Sequence, residues 1–276
     1  MLSVSGATKI TEFLESEYNN RLKVTDFAEV IAAWARDAAA FRDSHDNAEF
    51  DLAYGATERQ KLDLFWPGAA REAPIALFIH GGYWQALDRS FASHLAHGLT
   101  AHGVAVAIPS YDLCPAVTLA ELTEQMRVCA GFLARRHGQG LLAMGHSAGG
   151  HLAAMLMATD WTARGLPADT VVAGMPISGL FDLAPLLETS VISALVLDGA
   201  EARRLSPLSL PSPGLRLHAI VGGDEGVEYA RQSRKIAEAW GGTWESLPGA
   251  NHFTVLDPLA DPDSAMVRSA LGLLAP

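Results

Sequence analysis

The sequence predicts an α/β fold built on a mostly parallel central sheet with helices on both faces, and three observations predict it. Short apolar runs recur along the chain, segments of helical spacing separate them, and one serine stands between glycines where such a run gives way to a helix. Strands buried on both faces of a parallel sheet are continuously apolar, and these runs are. In sheets of this kind ligands gather at the carboxyl ends of the strands.

The elements follow in order. Phe27, Val30, Ile31, Trp34, Ala38 and Phe41 recur at three- and four-residue intervals, an amphipathic helix with Asp26 and Glu29 placed as a capping pair. This helix belongs to an N-terminal helical extension, residues 1–45. Glu49 to Tyr54 and Lys61 to Trp66 read as strands around the turn-like Gly55-Ala56-Thr57, an antiparallel entry to the sheet. The buried strands come next: Ile75 to His80, Val104 to Ile108, Leu141 to Gly145, Val171 to Ile177 and Leu215 to Val221. Between the last two, residues 181–213 break the alternation, because Pro185, Pro207, Pro211 and Pro213 interrupt it; this stretch is a candidate cap. A helix over Glu228 to Trp240, a final strand near Thr243 to Leu247 and a closing helix from about Asp263 complete the chain. No repeat, low-complexity block or linker divides it, so residues 1–276 are expected to form one domain.

Composition narrows the function. With 49% hydrophobic and 18% charged residues the chain has ample apolar surface to bury. A net charge of -11 disfavours nucleic acid and anionic membranes as partners, since both would repel it. The first residues carry acids where a signal peptide needs a basic start and an apolar run, and the expected location is cytoplasmic. Cys114 and Cys129 are too few for a disulfide framework and read as reduced structural residues.

The chemistry centres on Gly145-His146-Ser147-Ala148-Gly149, a G-x-S-x-G pattern at a strand-to-helix turn. Small flanking residues let the backbone take the strained turn that holds the serine oxygen clear of the sheet. A serine hydroxyl is a weak nucleophile at neutral pH, so it needs an imidazole to take its proton and a carboxylate to hold that imidazole. Chain order in such folds is serine, acid, histidine, which selects Ser147, the pair Asp224-Glu225, and His252. His80-Gly81-Gly82-Tyr83-Trp84 follows a strand and supplies an oxyanion loop, with Gly82, Tyr83 and Ala148 as backbone donors, each worth about 3 kcal/mol. Tyr83 is expected to act through its backbone alone, and His80 to brace the turn.

These residues resemble the α/β-hydrolases of the arylformamidase (kynurenine formamidase) and small-carboxylesterase group. The likeness lies in HGGYW, the SYDLCP after the next strand, GHSAGGHLAA, the closing NHF and EYNNR at Glu17 to Arg21, and it spans nearly the whole chain. It implies an α/β-hydrolase fold and a cofactor-independent serine hydrolase acting on a small ester or formamide through an acyl-enzyme. It also implies Glu225 as the acid, with Asp224 the runner-up. In that group an acid lies three residues before an EF..QS segment, matched here by Glu228-Tyr229 and Gln232-Ser233.

Other residues admit plainer readings. Trp84 and Tyr111, near strand ends, would wall a pocket for an aryl substrate, and core packing explains them equally well. His146, a substrate-pocket candidate, and His151 flank the elbow, and both read as packed or pocket-lining rather than catalytic. His94, His97 and His102 share a segment but lack an acidic or cysteine ligand at metal spacing, so no metal is expected. The alternatives are a short-chain carboxylesterase without formamidase activity and, from another class, a ligand-binding protein on a hydrolase scaffold.

Overall fold

The computed structural model describes residues 4–275; the first three positions of the N-terminal extension and residue 276 lie outside the described residues. The eight strands among the described residues are β1 (Ala48–Ala53), β2 (Lys61–Phe65), β3 (Ile75–Ile79), β4 (Ala105–Pro109), β5 (Leu141–His146), β6 (Val171–Ile177), β7 (Arg216–Gly222) and β8 (Thr243–Leu247). They form one sheet in the order β1-β2-β4-β3-β5-β6-β7-β8. β2 runs antiparallel to both β1 and β4, and β3 to β8 are parallel. The antiparallel entry and the parallel run both follow the sequence pattern, within a residue or two at each strand end.

Alternation along β3 shows how the core is divided. Ile75, Leu77 and Ile79 face one side, where they pack with α5 (Leu119–His137) and α6 (Ala148–Met157). Ala76 and Phe78 face the other, in a cluster that includes Trp34 of α3 (Phe27–Ser44) and Met266, Val267 and Ala270 of the C-terminal helix Ala265–Leu274. Each fully buried Leu or Ile contributes about 1.5–3 kcal/mol, so neither layer is dispensable. α5 opens on a capping box, Thr118 with Glu121, and closes at Gly138 with φ +64.

The capping pair expected at Asp26 and Glu29 does not form. Asp26 sits at φ -95, ψ 19, outside the extended region a cap requires, and its side chain bonds no helix N–H. Backbone contacts from Glu29 N and Val30 N to Asp26 O, both 3.0 Å, start the helix.

Residues 181–213 contain short 3₁₀ turns and one helix, Gly199–Arg204. Phe181, Leu183, Leu186, Ala202 and Leu205 of this stretch are buried in the α5/α6 layer. The N-terminal helix Val4–Tyr18 packs beside Val227–Trp240, which covers the same side of the sheet. No helix among the described residues is long and apolar enough to cross a membrane. Because β3 to β8 point the same way, the loops after β3, β5, β6, β7 and β8 all emerge at one edge.

Candidate active site

Ser147 occupies the junction of β5 and α6 at φ +56, ψ -117, a region costing about 1–3 kcal/mol for a residue with a side chain. Neighbouring backbone holds it there: Ser147 N donates to Ile177 O at 2.9 Å, and His151 N to Ser147 O at 3.1 Å. The flanking glycines are required by contact. A Cβ on Gly145 would lie 2.3 Å from Gly149 O, and one on Gly149 only 1.9 Å from Ile79 O.

The structure brings His252 and Glu225, the candidate base and acid, into contact. His252 Nδ1 lies 2.6 Å from Glu225 Oε2, with the histidine side chain 5% exposed and the glutamate side chain fully buried. Glu225 Oε1 accepts from Gly222 N at 2.7 Å and from the Ser178 hydroxyl, so the carboxylate cannot swing away. With one oxygen engaged by two donors, the other is aimed at the imidazole, which must present Nδ1–H and leave Nε2 as the acceptor. Asp224 is exposed and, among the described residues, is tied only by its backbone, N to Ala250 O at 3.0 Å. Ser147 Oγ has no hydrogen-bond partner among the described residues; it and His252 line the same cavity. Such bonds often tighten only when substrate binds.

Ser178 was not anticipated. The available signal was positional: a hydroxyl immediately after β6, between the strands that carry Ser147 and Glu225, at the edge where the loops of the candidate site gather.

Three consecutive residues of the loop after β3 have positive φ: Gly82 at +104, Tyr83 at +50 and Trp84 at +59. The N–H groups of Gly82, Tyr83 and Ala148 donate to no backbone carbonyl among the described residues, and Ala148 begins α6, whose N-terminal dipole adds to the pull on an anion. His80 braces the loop as expected. Its Nδ1 bonds Gly81 O at 2.8 Å, its ring stacks on Tyr111 at 4.2 Å, and burial lowers its pKa to about 4, so it is neutral. Tyr111 in turn donates to His80 O at 2.9 Å.

The cavity beside Ser147 has a volume of about 560 Å³. His146 lines it, but as a support. Its Nε2 donates to His252 O at 2.7 Å, and burial, with His252 beside it, holds its pKa well below the ordinary imidazole value. Trp84 and Tyr111 do not line the cavity. Both are fully buried in the main core, so the packing explanation holds, and the aromatic wall is formed by Tyr83, Phe253 and, from the N-terminal extension, Phe27 and Trp34. The extension also contributes Asn19, Asn20, Arg21 and Ile31. In the sequence Phe27, Ile31 and Trp34 fall at i, i+4 and i+7, one face of the helix already recognised, whose expected roles are covering the site or packing on the sheet.

Tyr83 does more than offer a backbone N–H. Its hydroxyl donates to Tyr18 O and meets Tyr229 Oη at 2.7 Å, because the left-handed backbone turns the ring toward the N-terminal helix. Of the remaining histidines, His151 bonds Leu205 O at 2.7 Å, His97 Ala260 O at 2.9 Å and His102 Pro262 O at 2.9 Å. No cluster of metal-ligating side chains occurs among the described residues. Cys114 and Cys129 are free and buried, and burial pushes the Cys114 thiol up to about 11.

The BD-FAE family model matches residues 62–170, which carry the oxyanion loop and the elbow. A solved structure from Silicibacter sp. TM1040, provisionally described as a thioesterase, is 37% identical with a TM-score of 0.86, covering 94% of this chain and 98% of its own. The kynurenine formamidase of Salmo salar is 28% identical over 95% of this chain and 94% of its own length. Esterase B of Lactobacillus rhamnosis shares the fold at 20% identity, with a TM-score of 0.67 over 91% of this chain and 95% of its own. With its strand order, its serine elbow and this set of relatives, the chain has the α/β-hydrolase fold and is similar to the arylformamidases and small carboxylesterases.

Proposed function

We propose that this chain is a serine hydrolase cleaving small acyl esters or aryl formamides through an acyl-enzyme. The observation that carries the reading is the 2.6 Å contact between His252 Nδ1 and Glu225 in the cavity that Ser147 lines. On this reading Ser147 Oγ attacks the substrate carbonyl while His252 Nε2 takes its proton, and Glu225 stabilises the imidazolium. The carbonyl oxygen becomes an oxyanion received by the N–H groups of Gly82, Tyr83 and Ala148. His252 then protonates the leaving amine or alcohol as its bond to carbon breaks. Water, deprotonated by the same imidazole, cleaves the acyl-enzyme and releases the acid. The N-terminal extension, through residues 19–34, and the 181–213 stretch, through Ser190 and Val191, act as walls of one catalytic domain.

One feature favours a formamidase over a plain esterase. Arg21 carries the only fixed charge among the cavity-lining residues, and no carboxylate among the described residues pairs with it; its guanidinium lies 5.2 Å from the Phe27 ring centroid. An unpaired cation in a chain of net charge -11 suits a substrate with its own carboxylate, as N-formylkynurenine has, and the aromatic wall suits its ring. The test is a hydrolysis panel of N-formylkynurenine against neutral short-chain aryl esters, with Ser147→Ala as control. Faster turnover of the formamide supports this reading. Turnover of esters alone assigns a carboxylesterase, and neither turnover nor a burst of product from an activated ester would leave a binding protein.

A further inference from the structure

The hydroxyl of Tyr83 belongs to a closed chain of hydrogen bonds whose proton count can be worked out. A carbonyl only accepts, so the single proton of Tyr83 goes to Tyr18 O. The Tyr83–Tyr229 contact at 2.7 Å must therefore use the proton of Tyr229. Tyr229 Oη then accepts from Asn20 Nδ2 at 2.9 Å. The sequence of donors is Asn20 to Tyr229 to Tyr83 to the Tyr18 carbonyl, with each hydroxyl proton used once. Both ends lie two residues apart, in the turn that ends the N-terminal helix.

That turn is itself anchored. Tyr18 Oη donates to Glu228 Oε2 at 2.8 Å and accepts from Gln232 Nε2 at 2.7 Å, while Glu228 N donates to Glu17 Oε2 at 3.0 Å. Tyr18, Asn20 and Tyr229 are each no more than 2% exposed. The chain touches the reacting groups on two sides. Tyr83 supplies a backbone N–H to the oxyanion loop, in a left-handed conformation that its neighbours Gly82 and Trp84 share. The Tyr229 ring lies against the His252 imidazole, centroids 4.6 Å apart. Burial holds both phenols above their ordinary pKa, so the chain stays neutral.

We propose that Tyr83 and Tyr229 are positioning residues through which the Tyr18–Asn20 turn holds the oxyanion loop and the base in register, so that seating of the N-terminal segment completes the oxyanion hole. The proposal rests on the hydrolase reading above. Without the two hydroxyls the strained loop has no hydrogen bond to the N-terminal turn among the described residues; Gln85 N and Ala86 N still hold Gly82 O, so the loop shifts as a unit and carries its N–H groups off the oxyanion. A displacement near 1 Å in such a site costs about 10²-fold in rate.

The experiment compares Tyr83→Phe, Tyr229→Phe and the double variant on one neutral aryl ester, with a thermal melt of each. Both substitutions keep the rings, including the face against His252. Expected are a fall in kcat of about 10- to 100-fold with KM within threefold, and a double variant no slower than the worse single one, because the two hydroxyls form one chain. A second readout is inhibition by an aryl trifluoromethyl ketone, whose adduct with Ser147 places an oxyanion in the hole. Its Ki should rise in step with the fall in kcat/KM, which a role in stability alone would not produce. Unchanged kcat in folded Tyr83→Phe, multiplying losses in the double variant, or an unchanged Ki would each overturn the proposal. Should one variant not fold, the other carries the same kinetic and Ki tests. Wild-type turnover that survives Ser147→Ala would overturn the hydrolase reading and this inference together, whereas loss there with full activity in Tyr83→Phe overturns this inference alone.

Discussion

Replacing Glu225 by glutamine changes one oxygen to an amide nitrogen, and the site decides which one. Oε1 accepts two protons, from Gly222 N at 2.7 Å and from Ser178, while Oε2 accepts one, from His252 Nδ1 at 2.6 Å. Turning the amide NH₂ that way would set the Gly222 N–H against a donor, at about 1–3 kcal/mol, even if the Ser178 hydroxyl turned to accept. The amide therefore presents its NH₂ to His252. Nδ1 must then become the acceptor, and the ring proton moves to Nε2. In that tautomer the imidazole cannot take a proton from Ser147, and the stabilisation of the imidazolium is lost as well. The loss in kcat should approach ~10⁴, equivalent to about 5.5 kcal/mol of barrier. Asp224→Asn changes an exposed side chain next to the acid and should cost less than about threefold, the share of a screened through-space charge. Steady-state kinetics on one activated aryl ester, with both variants checked by thermal melt, measures the contrast. A larger loss in Asp224→Asn, or a Glu225→Gln variant keeping more than a tenth of wild-type kcat, would refute the reasoning.

Ser147→Ala should abolish hydrolysis with an unchanged far-UV spectrum, and a fluorophosphonate probe should label the wild type at Ser147 but not His252→Ala; undiminished labelling there would mean another base serves the serine. Arg21→Gln should raise KM for N-formylkynurenine roughly tenfold, about 1.4 kcal/mol, and leave KM for a neutral aryl ester unchanged; equal effects on both substrates would remove Arg21 from anion recognition. Stability should fall with acidification in a defined window. His80 and His151 are neutral when folded, each with its pKa lowered by burial to about 4, and both are free to protonate near pH 6.5 when unfolded. Between those values the unfolded chain binds more protons, so stability is full above about pH 6.5 and is lost as pH falls toward about 4. A melting temperature that stays flat from pH 6.5 to 4.5 would contradict this.

Several features were already decided by the sequence. Apolar runs with helical spacing between them determined the parallel sheet, since a backbone buried on both faces can satisfy its polar groups only by pairing with like strands. Gly145, Gly149 and the serine between them determined the elbow, because only a residue without a Cβ tolerates contacts as close as 1.9 Å to Ile79 O. The order of Ser147, an acid at 224 or 225, and His252 followed from the same topology. Local pattern could go no further where the deciding contact is remote. Adjacent carboxylates look alike along the chain, and resemblance alone preferred Glu225. In the structure the distinction lies in Gly222 N and Ser178, which lock one side chain under the imidazole while Asp224 points to solvent. Trp84 and Tyr111 share the same ambiguity, because an aromatic near a strand end suits either a pocket or a core, and only three-dimensional packing distinguishes them. The helix Phe27–Ser44 showed its apolar face in the sequence but not which residues that face meets. That it closes the cavity, and that the Tyr18–Asn20 turn reaches the oxyanion loop, depends on contacts more than sixty residues apart, such as Tyr83 to Tyr18 and Tyr229 to Asn20. Periodicity reports which side of an element is buried, and the partner of that side is chosen only when the whole chain packs.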